Sequence, residues 1–136
     1  MRSTKLKILL VDDEPIARDV LREMLERLGH EVIGEADDGS GAVGYMRFNR
    51  EHPDLIFMDL DMQFLPGLFA IAQIREVYPG AHVIIVTGTD TPNAELKEVG
   101  ALGVLRKPVH PENLKQLVRQ YEEIFGKTGR KPASPE

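Results

Sequence analysis

Five short apolar runs, each followed by a segment with helical spacing, leave this chain few ways to fold. The runs lie at roughly 6–11, 31–36, 54–59, 82–87 and 102–105, and Leu55-Ile56-Phe57-Met58 typifies the composition of strands buried on both faces. The helices are expected at roughly 15–28, 40–50, 67–78, 92–99 and 111–125. In the first, Ile16, Val20, Leu21, Met24, Leu25 and Leu28 recur at 3.6-residue spacing, Pro15 suits the opening turn and Gly29 the C-terminal cap. Leu114, Leu117, Val118, Tyr121, Ile124 and Phe125 form one stripe on the last. Gly41 and Gly44 weaken the second. Alternation of this kind calls for a parallel sheet covered on both faces by helices in right-handed crossovers.

A chain of 136 residues suits one domain with one core, and leaves no room for a second catalytic or DNA-binding domain. That domain is expected over 5–126. Residues 127–136 have no apolar period and read as a flexible tail or the start of a linker. The net charge of −5 argues against a nucleic-acid surface, which needs clustered Lys and Arg. Without cysteine, neither disulfides nor thiolate chemistry can contribute. No apolar run approaches the roughly 18 residues of a membrane span, and Met1 to Lys7 does not lead into a signal-peptide pattern, so a cytoplasmic protein away from membranes is expected.

In a parallel α/β sheet, residues just past the carboxyl ends of strands converge on one crevice. Asp12-Asp13 follow the first run, Asp59 ends the third, Thr87 ends the fourth and Lys107 follows the fifth. Three carboxylates within about 5 Å of one another repel by roughly 3 kcal/mol per pair at an effective dielectric near 20, so a site that tolerates them holds a cation or raises a pKa. All-oxygen ligands select a hard ion, with Mg²⁺ the best fit. A blander reading keeps Asp12 or Asp13 as a cap for the first helix and Asp59 as a turn cap. A carboxylate beside Mg²⁺ can also act as nucleophile, giving an aspartyl phosphate. Thr87 then offers a hydroxyl and Lys107 a positive charge to the phosphoryl oxygens, whereas alone they read as a backbone-bonded strand end and a surface lysine.

The ordered set Asp12-Asp13, Asp59, Thr87 and Lys107-Pro108 resembles the receiver domains of two-component response regulators, over about Lys5 to Phe125. The resemblance implies a flavodoxin-like, doubly wound, five-stranded parallel sheet of order 2-1-3-4-5 with five helices. It implies that Asp59 accepts a phosphoryl group from a histidine kinase or histidine phosphotransfer protein. Asp13 and Asp59 would bind Mg²⁺ directly, Asp12 through a metal-bound water, and the backbone carbonyl of Asp61 would complete the protein ligands. Thr87 and Lys107 would bind the phosphoryl oxygens, and the Lys107-Pro108 bond would be cis. Such a module is a signalling switch rather than an enzyme with a separate substrate, though it can catalyse its own phosphotransfer and dephosphorylation. Gly88 matches the small residue that leaves the pocket open, and Gly67 the glycine that closes the loop after Asp59.

The chain departs from that pattern in several places. Val104 stands where an aromatic switch residue is usual and reads as strand core, so signalling is expected to rest on Thr87 and the loop after it. The stretch from Thr87 to Gly100 is short, which implies a short or displaced fourth helix beginning near Pro92. Gln63 replaces a usual proline, and Phe64-Leu65 are either core or contact surface. A homodimer or effector contact is expected on the face of the fourth helix, fifth strand and fifth helix, drawing on Leu96, Val99, Arg106, Lys115, Arg119 and Tyr121. For Leu96 and Val99 plain core is the competing reading, and for Arg106, Lys115 and Arg119 a solvated face.

Two other classes compete. Asp59-Leu60-Asp61 is similar to the Asp-x-Asp pair of haloacid-dehalogenase-type phosphatases, but Asp12-Asp13 precede Asp59, where that family's paired acids should follow. The other is a receiver fold that binds proteins without being phosphorylated. A dinucleotide site fails because the first strand runs into Asp-Asp-Glu-Pro instead of a glycine-rich turn.

Overall fold

The computed structural model describes residues 4–62 and 67–127. Strand and helix alternate throughout: β1 (Lys7–Val11), α1 (Pro15–Arg27), β2 (Glu31–Ala36), α2 (Gly39–Phe48), β3 (Leu55–Asp59), α3 (Gly67–Val77), β4 (Val83–Thr87), α4 (Asn93–Glu98), β5 (Ala101–Arg106) and α5 (Pro111–Lys127). Neighbouring strands pair in parallel, in the order β2-β1-β3-β4-β5. The expected boundaries therefore hold to within about two residues. The largest differences at a carboxyl end are two residues: α2 stops at Phe48, and α5 runs to Lys127 and so includes the first residue of the expected tail.

Alternating strand residues point to opposite faces, and this divides the core in two. Leu9, Val11, Ile56, Met58, Val83 and Ile85 meet Ala42, Val43 and Met46 of α2, Ala70, Ile71 and Ile74 of α3, and Leu96 of α4. On the other face Ile8, Leu10, Leu55, Phe57, Ile84, Val86 and Leu105 meet Leu25 of α1 and Leu114, Val118, Tyr121 and Phe125 of α5. Phe57 is among the largest fully buried side chains, and its truncation to alanine would cost about 3–5 kcal/mol. Gly34 on β2 permits one of the tighter contacts, since a Cβ there would lie 2.5 Å from the ring of Tyr45.

Helix ends follow local chemistry. Asp38 caps α2 by accepting the Gly41 amide at 2.8 Å, so the glycines that weaken this helix are offset by its cap. Gly29, at φ +95°, ends α1 in the conformation glycine adopts without strain. Three expected core positions turned out otherwise: Ile16 is 77% exposed, Val20 48% and Ile124 49%. The α1 stripe is wider than the sheet can cover. Ile16 and Val20 lie at one margin of the stripe and the fully buried Leu25 at the other.

At the amino ends of the strands, His30 ties three elements together. Its Nδ1 accepts the Leu6 amide at 3.0 Å, which leaves the neutral ring's proton on Nε2, 2.6 Å from Glu122 of α5. Asp54 accepts the Lys7 amide at 2.8 Å nearby.

Candidate functional site

The opposite end of the sheet gathers the acidic residues. With strand order 2-1-3-4-5 the winding reverses between β1 and β3, and Asp12 and Asp59 leave the sheet at that point. One carboxylate oxygen from each of Asp12, Asp13 and Asp59 lies within 4.8 Å of the other two. Asp59 is only 4% exposed. Lys107, carried past β5, places Nζ 3.2 Å from Asp59 Oδ1 and 3.9 Å from Asp12 Oδ2, and the Asp61 amide donates to Asp59 Oδ1 at 3.2 Å.

Three carboxylates against one ammonium leave excess negative charge at a site whose innermost member, Asp59, is buried. Burial, reinforced by Asp59 and Asp13, holds the Asp12 carboxyl above its usual range although the Glu14 amide and Lys107 pull the other way. For Lys107, burial is the largest single influence and opposes its charge. Asp59, Asp12 and Glu14 together outweigh it and raise the Lys107 pKa. The donor set is all oxygen, with neither His nor Cys, which suits a hard divalent cation and fits Mg²⁺.

Asp12 does not cap α1, whose N-cap is Glu14 with no side-chain cap bond. The Asp12 Oδ1 accepts the Glu14 amide at 2.9 Å just ahead of α1, while the same side chain belongs to the acidic group. Thr87 is fully buried, and its Oγ1 accepts the Thr89 amide at 3.0 Å and lies 3.0 Å from Thr89 Oγ1. The Lys107 amide donates to the Thr87 carbonyl at 2.8 Å, and the Lys107-Pro108 peptide is cis. Gly88 is exposed, and a Cβ there would meet only Lys107 Cβ at 3.8 Å, so its smallness serves the opening rather than the packing. Asp61 is exposed and Gly67 begins α3, whereas Gln63, Phe64 and Leu65 lie outside the described residues.

Of the six residues expected on the α4-β5-α5 face, two are core. Leu96 is 1% exposed, and Tyr121 is 8% exposed because its ring joins the α5 side of the core and its hydroxyl reaches the Leu102 carbonyl at 3.4 Å. Val99 is 41% exposed, Arg106 and Arg119 are exposed and Lys115 is half-buried. Val104 is half-buried against the α2-α3-α4 core, as a strand residue should be.

Arg18 escaped the sequence reading. Its guanidinium donates to the Asp12 carbonyl and, at 2.6 Å, to Glu35 at the end of β2, which also pairs with Arg22. Burial opposes the Glu35 charge, but the two arginines prevail and hold its pKa below the usual carboxylate range. Nothing in spacing alone links Arg18 to a residue near the far end of the strand that follows its helix. Thr89, Thr91 and Arg106 were also missed as a group, although threonine at every second position from Thr87 is a signal for successive side-chain-to-backbone turns.

A doubly wound parallel sheet with a carboxylate cluster and a lysine at its switch point defines the class of protein. A family model for the response regulator receiver domain matches residues 8–119, and the chain belongs to that family of two-component signalling modules. It is 36% identical over 125 residues to a probable C4-dicarboxylate response regulator of Halalkalibacterium halodurans, covering 90% of this chain and 54% of that protein. It is 29% identical to the chemotaxis protein CheY of Thermotoga maritima, covering 84% of this chain and 95% of the relative. The solved receiver domain of AraT, a response regulator from Geobacillus stearothermophilus, superposes with a TM-score of 0.78 at 30% identity, over 93% of this chain and all of the other. The chain thus spans about half the length of the first of these relatives. The family assignment sets aside the dehalogenase-like reading. Among the described residues no helix is long and apolar enough to cross a membrane.

Proposed function

We propose that this chain is a phosphoacceptor switch in which Asp59 takes a phosphoryl group from the phosphohistidine of a kinase or phosphotransfer protein. The observation that carries this reading is the close meeting of Asp12, Asp13 and Asp59 with the Lys107 ammonium on one side. An Asp59 carboxylate oxygen attacks phosphorus in line, the new P–O bond forms as the P–N bond breaks, and the histidine nitrogen keeps the leaving electron pair. Asp13 and Asp59 would hold Mg²⁺ directly, Asp12 through a water, and the Asp61 carbonyl would complete the protein's ligands. The ion, when bound, offsets the charge of the carboxylates and of the incoming phosphoryl group. Lys107 and the Thr87 hydroxyl receive phosphoryl oxygens, and the changed bonding biases the domain between two conformations.

The switching unit is residues 5–126, with 127–136 as tail or linker, acting in the cytoplasm on a partner, effector domain or second copy. Its output residues are the exposed Val99, Arg106 and Arg119 and the half-buried Lys115. Intact mass after incubation with acetyl phosphate and Mg²⁺ tests the reading. One phosphoryl adduct is expected on the parent, and none on Asp59→Ala or without Mg²⁺. A folded parent that takes neither phosphoryl nor beryllofluoride would instead be a receiver fold that works by binding alone.

A further inference from the structure

The segment between β4 and α4 carries a bonding pattern that the phosphotransfer chemistry does not require. Thr89 Oγ1 lies 3.0 Å from Thr87 Oγ1 on one side and 3.1 Å from Thr91 Oγ1 on the other. The Thr89 amide donates to Thr87 Oγ1, and the Thr91 amide makes a longer contact to Thr89 Oγ1. A line of hydroxyls therefore leads outward from Thr87. The same residues are also held through their carbonyls. Arg106 donates to Thr89 O at 2.7 Å, to Thr91 O at 2.5 Å and to Asn93 Oδ1 in the first turn of α4. Arg106 is joined in sequence to Lys107, whose ammonium lies against Asp59.

We propose that Arg106 is the switch residue of this chain, a guanidinium latch on residues 89–93 that is closed while Thr87 is bonded to Thr89 and opens when Thr87 turns to a phosphoryl group on Asp59. The inference rests on the phosphoacceptor reading and deepens it. Thr87 has one hydroxyl proton and no exposed surface, so water cannot replace what it gives up. Either hydroxyl can donate in the Thr87–Thr89 contact; with Thr87 as the donor, giving its proton to a phosphoryl oxygen withdraws it from Thr89 or forces Thr89 to turn and donate in its place. Either way the residue whose carbonyl Arg106 holds has changed partners. A planar guanidinium reads two acceptors at fixed spacing, so moving one weakens its grip on both. The six-residue α4 is anchored by Leu96 in the core, and its first residue, Asn93, is held by Arg106, so opening the latch loosens the start of the helix. Val104, too small to swing between two sites, leaves this route without a competitor on β5.

Amide hydrogen exchange over residues 89–98, with and without Mg²⁺ and beryllofluoride, tests the latch on the parent, Arg106→Gln, Thr89→Val and Thr89→Ser. In the parent, beryllofluoride should speed exchange in this segment roughly tenfold. Arg106→Gln should exchange fast before any addition and bind beryllofluoride roughly fivefold more tightly, because the closed latch no longer opposes the activated state. Thr89→Val should bind beryllofluoride without the change in exchange at 91–98, while Thr89→Ser, which keeps the hydroxyl, should restore it. A parent that binds beryllofluoride with unaltered exchange at 89–98 would overturn the latch and leave the phosphoacceptor reading standing. So would Arg106→Gln matching the parent in both measurements, or Thr89→Val matching Thr89→Ser. A parent that neither binds beryllofluoride nor gains a phosphoryl group overturns both.

Discussion

At the amino ends of the strands His30, Asp54 and Glu122 are buried or nearly so, and each meets a fixed partner: the Leu6 amide and Glu122 for His30, the Lys7 amide for Asp54. At the carboxyl ends Asp12, Asp13 and Asp59 are crowded together, and among the described residues Lys107 is the cation that meets them, so net negative charge remains. Both ends bury polar groups in the same sheet. At one end each group named has a partner that stays in place, so the effect is to fix α5 and the strand starts. At the other the balance is left incomplete, and a cation or a phosphoryl group can complete it. Buried polarity thus serves as a staple where it is satisfied and as a switch where it is not.

The contrast can be tested by substitution, beginning at the acidic end. Asp13→Asn removes a unit charge from the proposed cation site, and Mg²⁺ affinity measured by titration should fall roughly tenfold or more. Unfolding measured without Mg²⁺ should move the other way, with the variant at least as stable as the parent because a like charge is gone. A Mg²⁺ affinity equal to the parent's would remove Asp13 from the site. At the other end, His30→Ala strands the buried Leu6 amide and opens space beside α5, which should cost about 2–4 kcal/mol in urea denaturation. Phosphoryl uptake from acetyl phosphate, measured well below the unfolding transition, should stay near the parental rate. An unchanged denaturation midpoint would show that the His30 bonds are not a staple.

The smallest expected effect is a difference in the sign of two pH dependences. Asp12 has its folded pKa raised by burial, Asp59 and Asp13, so the folded chain binds that proton more tightly than the unfolded chain. Its contribution is favourable below the ordinary carboxylate range and is lost as pH rises through the raised value. Glu35 has its folded pKa lowered by Arg22 and Arg18 despite burial, so its contribution is present above that range and is lost as pH falls through the lowered value. Without Mg²⁺, Asp12→Asn should therefore gain stability over the parent as pH rises above about 4. Glu35→Gln should lose stability relative to the parent as pH rises toward the ordinary carboxylate range from below, and the difference should then level off. Difference curves of the same sign would refute the assignment of one group to repulsion and the other to pairing.

Much of this was legible in the chain because it rests on local pattern. Five apolar runs alternating with helical stripes are enough to require a parallel α/β sheet, since no other arrangement buries strands on both faces with helices between them. Asp12, Asp13, Asp59 and Lys107 could be placed together before any coordinates because the carboxyl ends of parallel strands share one edge. The family resemblance supplied the strand order. Exposure was less legible: Ile16 and Val20 have the spacing of core residues, yet how much of an apolar stripe is covered depends on the width of the surface it packs against. Tyr121 follows its place on the α5 stripe, not its expected place on the output face: its ring joins the α5 side of the core and its hydroxyl reaches the Leu102 carbonyl.

The sequence by itself determined the class of fold and the membership of the acidic cluster, because periodicity and strand-end position are properties of neighbouring residues. Only the tertiary structure decided that Arg18 reaches both Asp12 and Glu35, that His30 joins β1 to α5, and that Arg106 grips the segment leading out from Thr87. These contacts join residues far apart in the chain through hydrogen bonds that act over about 3 Å. Their existence depends on where whole elements come to rest, which no local pattern of residues encodes.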